Sequence, residues 1–120
     1  MIDSKPFIPD SPVVVPESII VHDQGELPKG LYYYVITAVR GVKPFDYIEG
    51  IPSHILQVYA PNKYNSIEFE WNNVGVKEYR IYRGTVLGKY DGFFYAGSQW
   101  FCDEGLYELN LNVCEDGNRP

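Results

Sequence analysis

Histidine and cysteine are nearly missing from this chain, with two of each in 120 residues, and 10 Lys+Arg face 16 Asp+Glu. Hydrolytic triads and most metal sites draw on histidine. Here His22 borders a turn signal and His54 sits in an apparent strand whose inward face is already supplied, so both read as surface or edge residues. Neither stands at ligand spacing from a cysteine or from the other histidine. Cys102 and Cys114 form no CxxC pair, and no base partner for a nucleophilic thiol is identifiable. They read either as two thiols near the C-terminal edge or as a local bridge closed outside a reducing cytosol, worth roughly 3 kcal/mol. The formal net charge of -6 repels phosphate backbones and anionic lipid surfaces, which argues against nucleic acid and membrane as partners. No apolar run approaches the ~20 residues of a spanning helix. The opening MIDSKPFIPDSP has no basic region followed by an apolar stretch, so synthesis without Sec-type export is expected.

The remaining polar groups do not converge on a reaction. Glu68 and Glu70 share a face of one strand pattern, but it is the outward face, where a solvated pair is expected rather than acid/base work. Asp46, Asp91, Asp103 and Glu104 fall in or near apparent loops without EF-hand spacing, so a Ca²⁺ site is not expected. Gly84, Gly88 and Gly92 punctuate turns and do not precede a helix as a phosphate loop does. These readings predict a protein without catalytic residues, metal or cofactor.

What the chain does have is aromatic residues, 16% of the sequence, gathered mostly in strand-like runs. At 120 residues and 45% hydrophobic content it suits one domain able to bury a core without staples. In GLYYYVITAVRG, residues 30–41, Tyr32, Tyr34, Ile36 and Ala38 alternate with Tyr33, Val35, Thr37 and Val39. In NSIEFEW, Ile67, Phe69 and Trp71 share the face opposite Glu68 and Glu70, the pattern of a half-buried antiparallel strand. Tyr79 and Ile81 of EYRIYRG are expected inward, and Arg80 outward. The predicted core is Tyr32, Tyr34, Ile36, Ile67, Phe69, Trp71, Tyr79, Ile81 and Phe101.

Along the chain, residues 1–12 carry Pro6, Pro9 and Pro12 and read as an extended arm. Residues 13–15 and 18–21 predict an edge strand broken at Pro16. Residues 23–30, DQGELPKG, predict a turn, and 42–50 a projecting loop. Residues 51–60 predict a strand with Leu56, Val58 and Ala60 inward, and 62–65 a turn into the Trp71 strand. LGKYDG predicts a hairpin turned at Asp91-Gly92. Residues 93–96 and 99–102 supply two short strands, and the tail 106–120 contains LYELNLNV, an alternating segment suited to an added or donated strand. No segment shows an amphipathic helical period. The pattern predicts an all-β antiparallel sandwich of about seven strands over residues 13–105.

Some apolar residues fall outside that core. Trp100 is out of phase with Phe101 and Tyr33 out of phase with Tyr32 and Tyr34, so both are expected outward as interface aromatics. Tyr47 and Ile48 in the long loop, Phe7 and Ile8 in the arm, and Leu109 and Leu111 in the tail complete the predicted contacts.

The order of motifs resembles the fibronectin type III/immunoglobulin-like modules of tailed-bacteriophage virion structural proteins. The residues that carry the resemblance are Gly30-Leu31-Tyr32-Tyr33-Tyr34-Val35-Ile36-Thr37-Ala38, Glu49-Gly50-Ile51-Pro52-Ser53, Trp71, Tyr79-Arg80-Ile81-Tyr82-Arg83-Gly84 and Phe101-Cys102-Asp103-Glu104-Gly105. The match spans roughly residues 20–105, in an order that looks circularly permuted or taken from the junction of two repeats. It implies a non-enzymatic decoration or accessory protein of capsid, neck or tail, made in the bacterial host cytoplasm and docked in the virion. Its implied partners are other virion subunits in multiple symmetric copies. The alternative is a carbohydrate-binding or adhesive module that presents Trp100 and loop tyrosines to host glycans.

Overall fold

The computed structural model describes residues 13–41 and 48–105. Phe7, Ile8, Asp46, Tyr47, Leu109, Leu111 and Cys114, with the arm and tail that hold most of them, lie outside the described residues. Six strands run in the order β1 (Pro16–Arg40), β2 (Ile48–Glu49), β3 (Leu56–Trp71), β4 (Glu78–Gly84), β5 (Gly92–Ala96) and β6 (Trp100–Asp103). They form one antiparallel sheet ordered β5-β4-β1-β3-β6, with β2 beside the end of β1.

Two segments read from sequence as turns belong to strands. Residues 23–30 lie inside β1 and residues 62–65 inside β3, because β3 pairs over its whole length with β1 from Pro16 to Tyr34. The ladder passes from His22↔Ser66 to Leu27↔Asn65, skipping four residues of β1, and from Pro28↔Tyr64 to Gly30↔Ala60, skipping three of β3. Such irregularities bend the strands that carry them. Asp, Gly, Pro and Asn are there for a corner, not a hairpin. Asn65 holds the corner from within: its Nδ2 donates to the carbonyls of Leu27 (3.1 Å) and Asn62 (2.8 Å).

The bend is severe. Ile19 pairs with Phe69, and Tyr34 lies fifteen residues further along β1, about 50 Å away if the strand ran straight. Instead the Tyr34 and Phe69 rings sit 4.6 Å apart. The sheet therefore curls into two facing limbs. One holds residues 16–22 of β1, 66–71 of β3, and β6; the other holds residues 30–40 of β1, 56–60 of β3, β4 and β5. Phe94 of β5 meets Phe101 of β6 at 4.8 Å, and Trp71 meets Tyr79 at 5.3 Å, so the limbs also touch at the sheet's opposite edges.

Between the limbs lie Tyr32, Tyr34, Ile36, Ile67, Phe69, Trp71, Tyr79, Ile81 and Phe101, all buried, together with Leu56, Val58 and Ala60. Other boundaries differ from the sequence reading. Pro16 opens β1 rather than breaking it, since a first strand residue need not donate to the ladder. β3 begins at Leu56, and Ser53 ahead of it is bound to the edge of β1. The β4–β5 hairpin turns at Leu87-Gly88, within the Val86↔Lys89 bridge; Gly88 has φ 83°, whereas Gly92 is already in β5.

Candidate docking face

The six-residue run Tyr79-Arg80-Ile81-Tyr82-Arg83-Gly84 places one arginine on each side of the sheet. Arg83 is paired in register with Tyr34, and both point into the core. There Arg83 Nη1 donates to both oxygens of Asp103 (2.9 and 3.0 Å), and Tyr34 Oη donates to Asp103 Oδ2 (2.6 Å). Gly105 N–H donates to Oδ1 (3.0 Å). Asp103 is 1% exposed. Burial, then the adjacent carboxylate, push the Tyr34 hydroxyl well above its ordinary pKa. Burial alone would lower Arg83, but Asp103 leaves it above its usual value.

This constellation ties β6 to β1 and β4 and so clasps the two limbs. Asp103, read from sequence as a loop carboxylate, is a buried strand residue with its lone pairs engaged. Gly105 follows of necessity: it has φ +88°, and a Cβ there would lie 2.4 Å from Leu27 N. Ser53 serves a similar structural end, accepting Ile36 N–H at its hydroxyl (3.0 Å) and donating its own N–H to Ile36 O (2.9 Å).

The other arginine faces out. Alternation from Tyr33 puts Leu31, Tyr33, Val35, Thr37 and Val39 on the outer side of β1. The register then adds Gln57 and Tyr59 of β3, Arg80 and Tyr82 of β4, and Phe93 and Tyr95 of β5. An antiparallel sheet commonly turns a polar face to water. This one turns out a row of rings: Tyr90, Tyr82, Phe93 and Tyr95 follow each other at centroid distances of 6.2, 5.2 and 5.1 Å. Tyr59, at 54%, and Leu31 are exposed, while Tyr33 is half-buried.

Arg80 points outward as alternation requires, yet it is buried. Its guanidinium lies over Phe93 (4.8 Å) and Tyr95 (5.6 Å) and is shared between Glu49 (3.3 Å) and Glu78 (3.5 Å). Glu49 enters from β2, which pairs with the end of β1. Its Oε2 accepts from Thr37 Oγ1 (2.6 Å) and Tyr82 Oη (2.5 Å). Burial and the bond to Glu49 push the Tyr82 phenol up to about 12. Val35, Pro52, Tyr82 and Tyr90 wall a cleft of about 340 Å³ above this carboxylate.

The first limb's outer side is different. Trp100, expected as an exposed aromatic, is half-buried there, and its Nε1 donates to Glu68 Oε2 (2.7 Å). Glu68 Oε1 also lies 2.8 Å from His22 Nε2, so it is no solvated partner of the exposed Glu70. His54 and Ile48 are exposed, and Cys102 is buried in β6. Among the described residues no cluster of His, Cys, Asp or Glu has the grouping of a metal site.

Glu49, Tyr82, Tyr90, Phe93 and Tyr95 were not among the contact residues expected from the sequence, where Glu49 and Tyr82 entered only as part of the motif resemblance. A signal existed, since Phe94 inward implies Phe93 and Tyr95 outward. What alternation could not supply is that β2 returns Glu49 over Thr37. Comparison with protein-family models, with curated proteins and with solved structures returns no match.

Proposed function

We propose that this chain is a non-enzymatic docking module, an immunoglobulin-like sandwich formed by the two limbs, that binds other protein subunits through the outer face of its second limb. The observation that carries the reading is the ring-lined outer face running from Tyr59 and Leu31 through Tyr33 to Tyr82, Phe93 and Tyr95. Amphipathic aromatics of this kind are the favoured anchors of protein interfaces. The carboxylates that might have served chemistry support it too. Asp103 is spent on the clasp, Glu68 on Trp100 and His22, and Glu49 on Thr37, Tyr82 and Arg80.

The motif resemblance adds the setting, an accessory structural protein of a bacteriophage virion, where many symmetric copies make modest single-site affinity sufficient. The glycan reading loses its main platform, because Trp100 is held half-buried by Glu68. Electron microscopy of particles assembled with tagged protein tests the proposal. Wild-type protein is expected at fixed symmetric positions, and Leu31→Ser with Tyr59→Ser at strongly reduced occupancy while still folded. Particles without the wild-type protein, together with specific retention on a host-glycan array, would replace this reading with the adhesive one.

A further inference from the structure

One flank of the molecule is open. The contact of Phe94 with Phe101 sets β5 against β6 on one side, so residues 16–22 of β1 and residues 56–60 of β3 end together on the other. Ile19 shows the consequence. It pairs with Phe69 and so shares its inward side, yet it keeps 39% of its exposure while Phe69 is fully covered. An inward apolar side chain left in water marks a missing neighbour.

The two edges on this flank differ. The β1 edge opens with Pro16, Glu17 and a register shift, devices that blunt strand addition. The β3 edge, Leu56-Gln57-Val58-Tyr59-Ala60, has no charge, no proline and no shift of register against residues 30–34. Its backbone direction follows from its neighbour. Gly50 and Ser53 donate to the carbonyls of Ala38 and Ile36, so the even residues of this part of β1 face β3, where they pair with Leu56, Val58 and Ala60. Gln57 and Tyr59 therefore turn their N–H and C=O groups to the flank, beyond which no strand follows among the described residues. Their side chains and that of Ile55 are exposed.

We propose that this edge pairs with the same edge of a second copy of the chain, antiparallel about a twofold axis at Gln57. The strand is self-complementary in that register. Gln57 meets its own counterpart, amide to amide, Ile55 meets Tyr59, and no charge faces another. The net charge of -6 opposes association elsewhere on the surface, so the uncharged strand is where two copies can approach. Pro61, which has no N–H to give, ends the usable edge. Because the axis stands across the sheet, the outer faces of both second limbs lie on one side, and the row of Leu31 and Tyr59 continues from one copy into the next. The inference goes beyond the docking reading and does not depend on it.

Analytical ultracentrifugation of the full chain tests it. Wild type is expected to dimerise, and Gln57→Lys, which sets like charges across the axis, should raise the dimer Kd by about tenfold or more. Gln57→Glu should do the same, and an equimolar mixture of the two variants should restore the dimer. Both alter an exposed side chain, and circular dichroism checks that both stay folded. The amides of Gln57 and Tyr59 should resist exchange only in the dimer. A wild type still monomeric at about 1 mM, single variants that dimerise as wild type does, or a mixture that fails to restore the dimer would overturn the proposal. Protection of those amides in the monomer would assign the edge to another segment of the chain and overturn it too. If the protein dimerises in this way but never enters particles, the virion reading falls and the dimer stands. If it enters particles as a monomer, only the dimer falls.

Discussion

Arg83 with Asp103 and Tyr34, and Arg80 with Glu49 and Tyr82, are the same three chemical groups on opposite sides of one strand. In the first, the carboxylate is almost completely covered, and its partners are the buried Tyr34 and the largely covered Arg83. In the second, the carboxylate borders an open cleft and its guanidinium is divided between two acids. The contrast shows that the same groups make a sealed fastener where they are covered and a solvent-bordering cluster where they are not. A covered ion pair is costly to break because the survivor has no water to turn to. A half-open one exchanges partners at little cost, which suits binding.

The largest separation of the two triads is expected from removing each arginine. Arg83→Ala strands Asp103 in the core and should cost about 3–5 kcal/mol in urea denaturation, whereas Arg80→Ala leaves two half-exposed acids and should cost about 1. Equal losses would show that the inner pair is not the clasp. Comparable to the first in size is Trp71→Ala, for which emptying a buried aromatic site that packs against Tyr79 should cost about 3–5 kcal/mol.

Alkaline titration sharpens the comparison further. An acid whose folded-state pKa exceeds its unfolded value stabilises the fold fully below the unfolded value and loses that contribution as pH rises through the folded one. For Tyr82 this window runs from its ordinary 10.0 to about 12, and for Tyr34 the shift is in the same direction. Stability should therefore fall as pH climbs from about 10 to 12. Phenolate absorbance of the native protein should show both hydroxyls ionising late, with Tyr82→Phe removing one late step without unfolding the chain. Early ionisation of every tyrosine would contradict both triads.

Smallest is the effect expected at the first limb's outer side. Glu70→Ala should change stability by less than about 0.5 kcal/mol, since Glu70 is exposed, while Glu68→Ala should cost about 1 because it frees the Trp100 N–H and His22. Identical effects would mean that the Trp100 contact contributes nothing.

Strand phase was legible in the sequence, because period-two alternation is a local property: Tyr32 with Tyr34, Ile67 with Phe69, Tyr79 with Ile81 and the lone Phe101 all mark the covered side. The strong turn residues were legible as well, but their meaning was not. DQGELPKG and PNKYN produce a hairpin or a corner according to what lies across from them, and only the register of β1 against β3 makes them a corner. The same holds for polar residues. Asp103 looked like a loop acid and Trp100 like an exposed ring because their partners lie far along the chain: Arg83, twenty residues away, meets Asp103 when the sheet curls, and Glu68, thirty-two away, meets Trp100 when β3 pairs with β6. The sequence by itself determined which side chains share a face, through backbone geometry alone. Which face would be sealed, clasped or left open to solvent was decided by the curl of the tertiary structure, since burial and charge pairing are properties of neighbours far apart along the chain.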